Sequence, residues 1–128
     1  MRLLLDTHLL VWAAGAPERL SSVARDMIED PGNTLVFSVV SIWEVAIKHG
    51  LGRPEFQTDP RVFRQRLMNN SFKELLITSE HVVGVATLPA IHRDPFDRLL
   101  IAQAIAEDLL FVSGDQKIGE YPGPIRRV

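Results

Sequence analysis

The sequence predicts an α/β fold with three layers, α/β/α, around a central, mostly parallel sheet of four or five strands. Two observations carry this expectation. Short apolar runs at 3–5, 34–40, 72–78 and 109–113 alternate with longer stretches of helical period. Strands that alternate with helices form parallel sheets with helices on both faces. The first run, Leu3-Leu4-Leu5, is also continuously apolar rather than alternating, as suits a strand buried on both faces.

The elements follow in order. MRLLLD opens the chain as a strand ending at Asp6, and HLLVWAAG is an apolar helix stopped by Gly15 and Pro17. Ser21 or Ser22 caps a second helix, with Val23, Met27 and Ile28 on one stripe. Pro31-Gly32-Asn33 is a turn. TLVFSVV, rich in β-branched and aromatic residues, is the next strand, and SIWEVAIKHG the helix after it. Residues 51–60 read as a loop, VFRQRLMNN as an amphipathic helix, and FKELLIT as a third strand. SEHVVGVATL is a helix stopped by Pro89. DPFDRLLIAQAIAED has the clearest start, with Asp94 as N-cap and Pro95 as first helical residue. LLFVS is a fourth strand, 115–121 holds a short helical turn, and PIRRV is a last edge strand.

A length of 128 residues predicts one domain over 1–128, with no repeat, low-complexity tract or linker. The absence of cysteine removes disulfides, thiolate metal sites and a cysteine nucleophile. A net charge of −2 lacks the basic surplus of a general nucleic-acid binder, so contact with nucleic acid would need local basic patches and metals. No stretch reaches the ~20 apolar residues of a membrane span. The residues before Asp6 are too few for a signal peptide. The expectation is a soluble, cytoplasmic protein with no membrane contact.

Four acids carry the chemistry: Asp6, Glu44, Asp97 and Asp115. Each lies where an apolar run meets a helix start. Functional groups of open α/β sheets gather beyond the carboxyl ends of the strands. Four carboxylates there would oppose each other's ionisation unless cations joined them. An all-oxygen donor set suits Mg²⁺ or Mn²⁺. Each acid also has a plain structural reading. Ser41 to Glu44 fits a capping box, Asp97 follows the cap Asp94 as an N3 acid, and Asp115 fits an N-cap. Asp6 fits a plain cap least well, because it follows a buried strand and precedes LLVWAA.

Other residues rank lower. His8, His49, His81 and His92 form no HxxxH or HExxH pair, which argues against zinc. His8, close to Asp6, is a candidate for lining the site, with a partly buried structural histidine as the stronger reading. Trp12 and Trp43 read as core or interface residues rather than base-stacking platforms. Arg93, Arg98, Lys117, Arg126 and Arg127 are candidate phosphate contacts, with a solvated surface role as default. No GxSxG, Walker or GxGxxG pattern is present.

The segments LLLDTHLLVW, SVVSIWEVAIK, HRDPFDRLLIAQA and LLFVSGDQKI resemble the PIN-domain ribonucleases, and among them the VapC-type toxins of toxin–antitoxin pairs. The resemblance runs nearly end to end. It implies a PIN-like fold, with Asp6, Glu44, Asp97 and Asp115 as the metal-binding, catalytic acids. Asp94 is then a cap or supporting group, and Thr7 and Ser113 are small hydroxyl residues near the site. Gly114 lies between Ser113 and Asp115. The implied activity is Mg²⁺- or Mn²⁺-dependent endonucleolytic cleavage of RNA by metal-activated water. The implied partners are an RNA substrate, a cognate antitoxin protein and a second copy of the chain in a homodimer. Leu10, Trp12 and Trp43 are candidates for those protein contacts. Two other readings compete: a metal-binding phosphotransfer domain with a nucleophilic aspartate, and a non-catalytic PIN-like binding module.

Overall fold

The computed structural model describes residues 1–128. Its sheet has five strands: β1 (Arg2–Leu5), β2 (Thr34–Ser38), β3 (Lys73–Leu75), β4 (Leu110–Ser113) and β5 (Ile125–Arg127). The spatial order is β3-β2-β1-β4-β5, and every neighbouring pair is parallel. The expected "mostly parallel" sheet of four or five strands is thus parallel throughout. Six helices connect it: α1 (Thr7–Gly15), α2 (Ser22–Glu29), α3 (Val39–Gly50), α4 (Pro60–Asn69), α5 (Ser79–Gly84) and α6 (Pro95–Glu107).

The three leucines of β1 divide the core. Side chains alternate across a strand. Leu3 and Leu5 accordingly join one apolar cluster with Leu9 and Leu10 of α1 and Phe63 and Leu67 of α4. Leu4 joins the opposite cluster with Leu100, Ile101 and Ala104 of α6. All three leucines are fully buried, each stabilising the fold by roughly 1.5–3 kcal/mol relative to exposure. The triple-leucine run is therefore the middle of a three-layer sandwich.

Strand order reverses between β1 and β4, because the chain leaves β1 toward β2 and later returns on its other side. Pairing of Leu5 with Val112 brings the carboxyl ends of these two strands level. The Asp6 amide continues the ladder by donating to the Val112 carbonyl at 3.0 Å. Such a reversal leaves a crevice at the carboxyl ends of the strands.

Several boundaries differ from the expectations. α3 begins at Val39 rather than Ser41, because the Ser38 hydroxyl caps it by accepting from the Val40 amide at 3.0 Å. The two valines favour a strand intrinsically, but Val40 is fully buried in the α6-side cluster, and packing overrides propensity. The Ser41–Glu44 capping box is therefore absent, and both residues lie inside the helix. β3 spans only Lys73–Leu75; as an edge strand it is short, which limits unwanted pairing. The helix after it ends at Gly84 and continues as a 3₁₀ turn, Val85–Thr87. The loop at 51–60 contains a 3₁₀ turn, Pro54–Phe56, and α4 starts at Pro60 with Asp59 as its cap. No helix is long and apolar enough to cross a membrane.

Candidate metal centre

Asp6 follows β1 directly. Its Oδ1 caps α1, accepting from the Leu9 amide at 2.9 Å, while Oδ2 accepts from the Ser113 hydroxyl. The acid that fitted a plain cap least well is thus a cap as well, and its hydroxyl partner comes from β4. Burial raises its pKa, and Glu44 adds to the rise; the bonds from Ser113 and Leu9 and the nearby His8 act in the other direction.

Glu44 stands on the second turn of α3, with only 2% of its surface exposed. One oxygen accepts from the Lys48 ammonium at 2.5 Å. The other, Oε1, is buried without a hydrogen-bond partner. Ser41, one turn earlier, pairs with the Thr7 hydroxyl at 2.9 Å and ties α3 to α1.

Asp97 lies on the first turn of α6. Asp94 caps that helix as expected, its Oδ1 accepting from the amides of Phe96 at 2.8 Å and Asp97 at 3.2 Å. The Asp94 carboxylate is engaged with its own helix end, and Asp97 projects into the acidic group. Burial first, then the charges of Asp94, Glu44, Asp6 and Asp115, push the Asp97 pKa up to about 8. The other three sequence-predicted acids therefore all lie within electrostatic reach of Asp97.

Asp115 is the most exposed of the four. Burial works against its ionisation, but the Lys117 amide at 2.8 Å and His92 hold its carboxyl below the usual carboxylate range. Gly114 beside it does not adopt a left-handed conformation, and a Cβ built there meets open space. The loop does not depend on glycine at that position.

His92 belongs to this site and was not singled out by sequence spacing. Its Nε2 lies 3.1 Å from Asp115 and 3.4 Å from Asp97. Its Nδ1 accepts from the Asp94 amide at 3.0 Å. A backbone amide only donates, so in the neutral ring the proton sits on Nε2 and points at the two carboxylates. Tyr121 fixes the His92 backbone, its hydroxyl accepting from the amide at 2.7 Å. Only the segment HRDPFD hinted at this, by placing a histidine two residues before the helix cap. Lys48 was missed too, although it stands one helical turn after Glu44.

Other expectations are corrected. His8 is exposed rather than partly buried. Leu10 is fully buried, so it offers no protein-contact surface. Trp43 is half exposed and packs edge-on against Phe96 at 4.8 Å between centroids. Arg98 bonds the Pro89 carbonyl at 2.9 Å and the Val85 carbonyl at 3.2 Å. Those bonds hold the segment before α6, which leaves the guanidinium committed to the fold.

Residues 3–124 match the PIN domain. The chain belongs to the PIN-domain family. This PIN domain is 27% identical over 121 residues to Ribonuclease VapC22 of Mycobacterium tuberculosis, covering 94% of this chain and 92% of the relative. Its fold is similar to the crystal structure of VapBC2 from Rickettsia felis bound to a promoter DNA fragment, with a TM-score of 0.73 at 16% identity over 99% of this chain and 98% of that one. It is also similar to VapBC-1 from nontypeable Haemophilus influenzae, with a TM-score of 0.64 at 14% identity over 99% and 98% of the two chains. A toxin–antitoxin complex from Klebsiella pneumoniae gives 0.62 at 17% identity over 98% and 99%.

The residues of this PIN domain fit a divalent cation. A buried carboxylate oxygen without a donor is costly unless something positive meets it, and Glu44 Oε1 is such an atom. Ligand atoms of His92, Asp97 and Asp115 lie within 4.8 Å of one another. Because the His92 Nε2 carries a proton directed at the acids, the oxygens are the better donors, and an oxygen set suits Mg²⁺ or Mn²⁺.

Proposed function

We propose that the chain, as one PIN domain over residues 1–128, is a Mg²⁺- or Mn²⁺-dependent endoribonuclease, the toxin of a VapC-type toxin–antitoxin pair. One observation carries the reading: a half-buried carboxyl, Asp97, faces three further acids beside the unpaired Glu44 oxygen, at the reversal of strand order. Family membership and similarity to a protein named as a VapC ribonuclease support it.

In this reading Asp6, Glu44 and Asp97 hold the cation, and Asp115 completes the site from the open side. An ion held by these residues would supply polarisation of the scissile phosphate and a more acidic water molecule. The chain's own residues set the geometry. Ser113 and the Leu9 amide fix the two oxygens of Asp6. Lys48 neutralises one oxygen of Glu44 and leaves the other for the ion. The Nε2–H of His92 steadies Asp97 and Asp115, as supporting donors to metal ligands do.

The test is cleavage of a labelled single-stranded RNA with Mg²⁺ or Mn²⁺, with excess chelator, and by Asp6→Asn and Asp97→Asn. The reading expects cutting only by the parent protein with metal. Undiminished cutting in chelator, or by the folded variants, refutes it. A stable acyl-phosphate formed from acetyl phosphate would favour the phosphotransfer reading instead.

The solved complexes similar in fold are VapBC assemblies. We infer from this likeness a protein antitoxin that covers the acidic cleft, and homodimerisation in the cytoplasm. The half-exposed Trp43 is a candidate for such contacts. Light scattering of the purified chain tests the dimer; a monomer at micromolar concentration counts against it.

A further inference from the structure

A cleft of about 400 Å³ opens beside the acids, within the range that receives one small ligand. Asp6 and Asp115 line it together with Arg19, Ser21, His8 and Trp12. His8 stands one turn before Trp12 on α1, with ring centroids 6.1 Å apart and the planes tilted by 59°. The same imidazole meets Phe56 edge-on at 5.6 Å, which fixes its ring. Arg19 ends a 3₁₀ turn, Pro17–Arg19, and is exposed. None of the ion pairs within the fold involves it. An unpaired guanidinium, two adjoining rings and a cation-binding acid group around one small cleft match the parts of a nucleotide strand: phosphate, base, and the phosphate to be cut. Arginine suits phosphate through its planar fork of donors, and aromatic faces stack any base.

We propose that this cleft is the subsite for the nucleotide adjoining the scissile phosphate, with Trp12 stacking on its base, the tilted His8 ring meeting the base at its edge, and Arg19 binding its other phosphate. The proposal rests on the nuclease reading for what happens at the acids, but it predicts binding that is measurable without cleavage. Stacking of this kind requires an unpaired base, because a base held in a duplex offers no free face to the ring.

The test uses the full chain carrying Trp43→Phe, so that Trp12 is the sole tryptophan reporter. Adenosine 5′-monophosphate should quench Trp12 emission, and adenosine should do so with lower affinity. Arg19→Gln, an exposed change, should weaken the nucleotide about tenfold and leave adenosine unchanged, while His8→Ala should weaken both about tenfold. For a short single-stranded RNA, Arg19→Gln should lower the slope of log affinity against log salt by about 0.7, the loss of one phosphate contact. Trp12 emission unmoved by millimolar nucleotide, or equal affinity in Arg19→Gln, overturns the subsite. Quenching by a lysine-rich peptide but not by the nucleotide also overturns it.

Cleavage assays separate the two readings. Metal-dependent cutting with an unchanged KM in Arg19→Gln leaves the nuclease and removes the subsite. Arg19-dependent quenching in a chain that cuts no RNA does the reverse.

Discussion

At the scale of single residues, Asp97 decides how the site behaves without metal. In the folded chain it holds its proton up to about pH 8, against 3.8 for an ordinary aspartate. Between those values the folded state binds more protons than the unfolded state. Stability of the cation-free protein therefore falls as pH rises from about 4 to about 8 and levels off above. Thermal melts in chelator across that range should show the decline. Added Mg²⁺ should flatten it, because an ion that binds only the folded state displaces the proton. Asp97→Asn removes the ionisation, so its chelator melts should lose most of the slope. At pH 8 it should be more stable than the parent by on the order of 1–3 kcal/mol. His92→Ala removes the donor shared by Asp97 and Asp115. Mn²⁺ affinity by calorimetric titration should fall about tenfold or more. Unchanged affinity would mean that the ring only fills space.

At the scale of elements, the helix ends explain how the acids reach one place. α1 and α6 start on aspartates, Asp6 and Asp94, and α3 on Ser38. Behind α3 runs a buried polar chain. Ser38 donates to the Gln103 Oε1 at 2.5 Å. Gln103 Nε2 lies 3.2 Å from the His81 Nδ1, and His81 Nε2 lies 2.9 Å from Glu107. His81→Ala leaves the Thr78 amide without its Nδ1 acceptor and Gln103 Nε2 with only the Leu76 carbonyl at 3.3 Å. The expected loss is about 2–3 kcal/mol in denaturant unfolding. α6 ends on Asp108, a non-glycine residue in the left-handed region at φ 55°. Asp108→Gly relieves that conformation and should raise stability by roughly 0.5–1 kcal/mol; a lower melting temperature would contradict this.

These elements also mark what was legible in the sequence. The cap Asp94 and its proline set the start of α6, because both signals are local. The start of α3 was not legible. Val39 and Val40 look like strand, and only the burial of Val40 under α6 makes them helix. His92 was missed for a related reason. Its partner Asp115 lies 23 residues later, and no sequence spacing encodes that approach.

At the scale of the whole molecule, strand order does the assembling. Asp6 and Asp115 are far apart in sequence and adjoin because β1 and β4 are parallel neighbours. The acids on α3 and α6 come together because those two helices pack against each other. The three-layer class was readable from alternating runs, since continuous apolar strands need cover on both faces. The order of the strands was not readable, because it depends on which helix crosses which face.

The nuclease reading stands on Asp6, Glu44, Asp97 and Asp115 forming one divalent-cation site. Calorimetric titration of Mn²⁺ into the metal-free parent and into Asp97→Asn tests it most directly. Saturable binding by the parent, with release of protons near pH 7 and strong loss of affinity in the variant, is the predicted result. Equal binding by both proteins, or no binding by a folded parent, would contradict it.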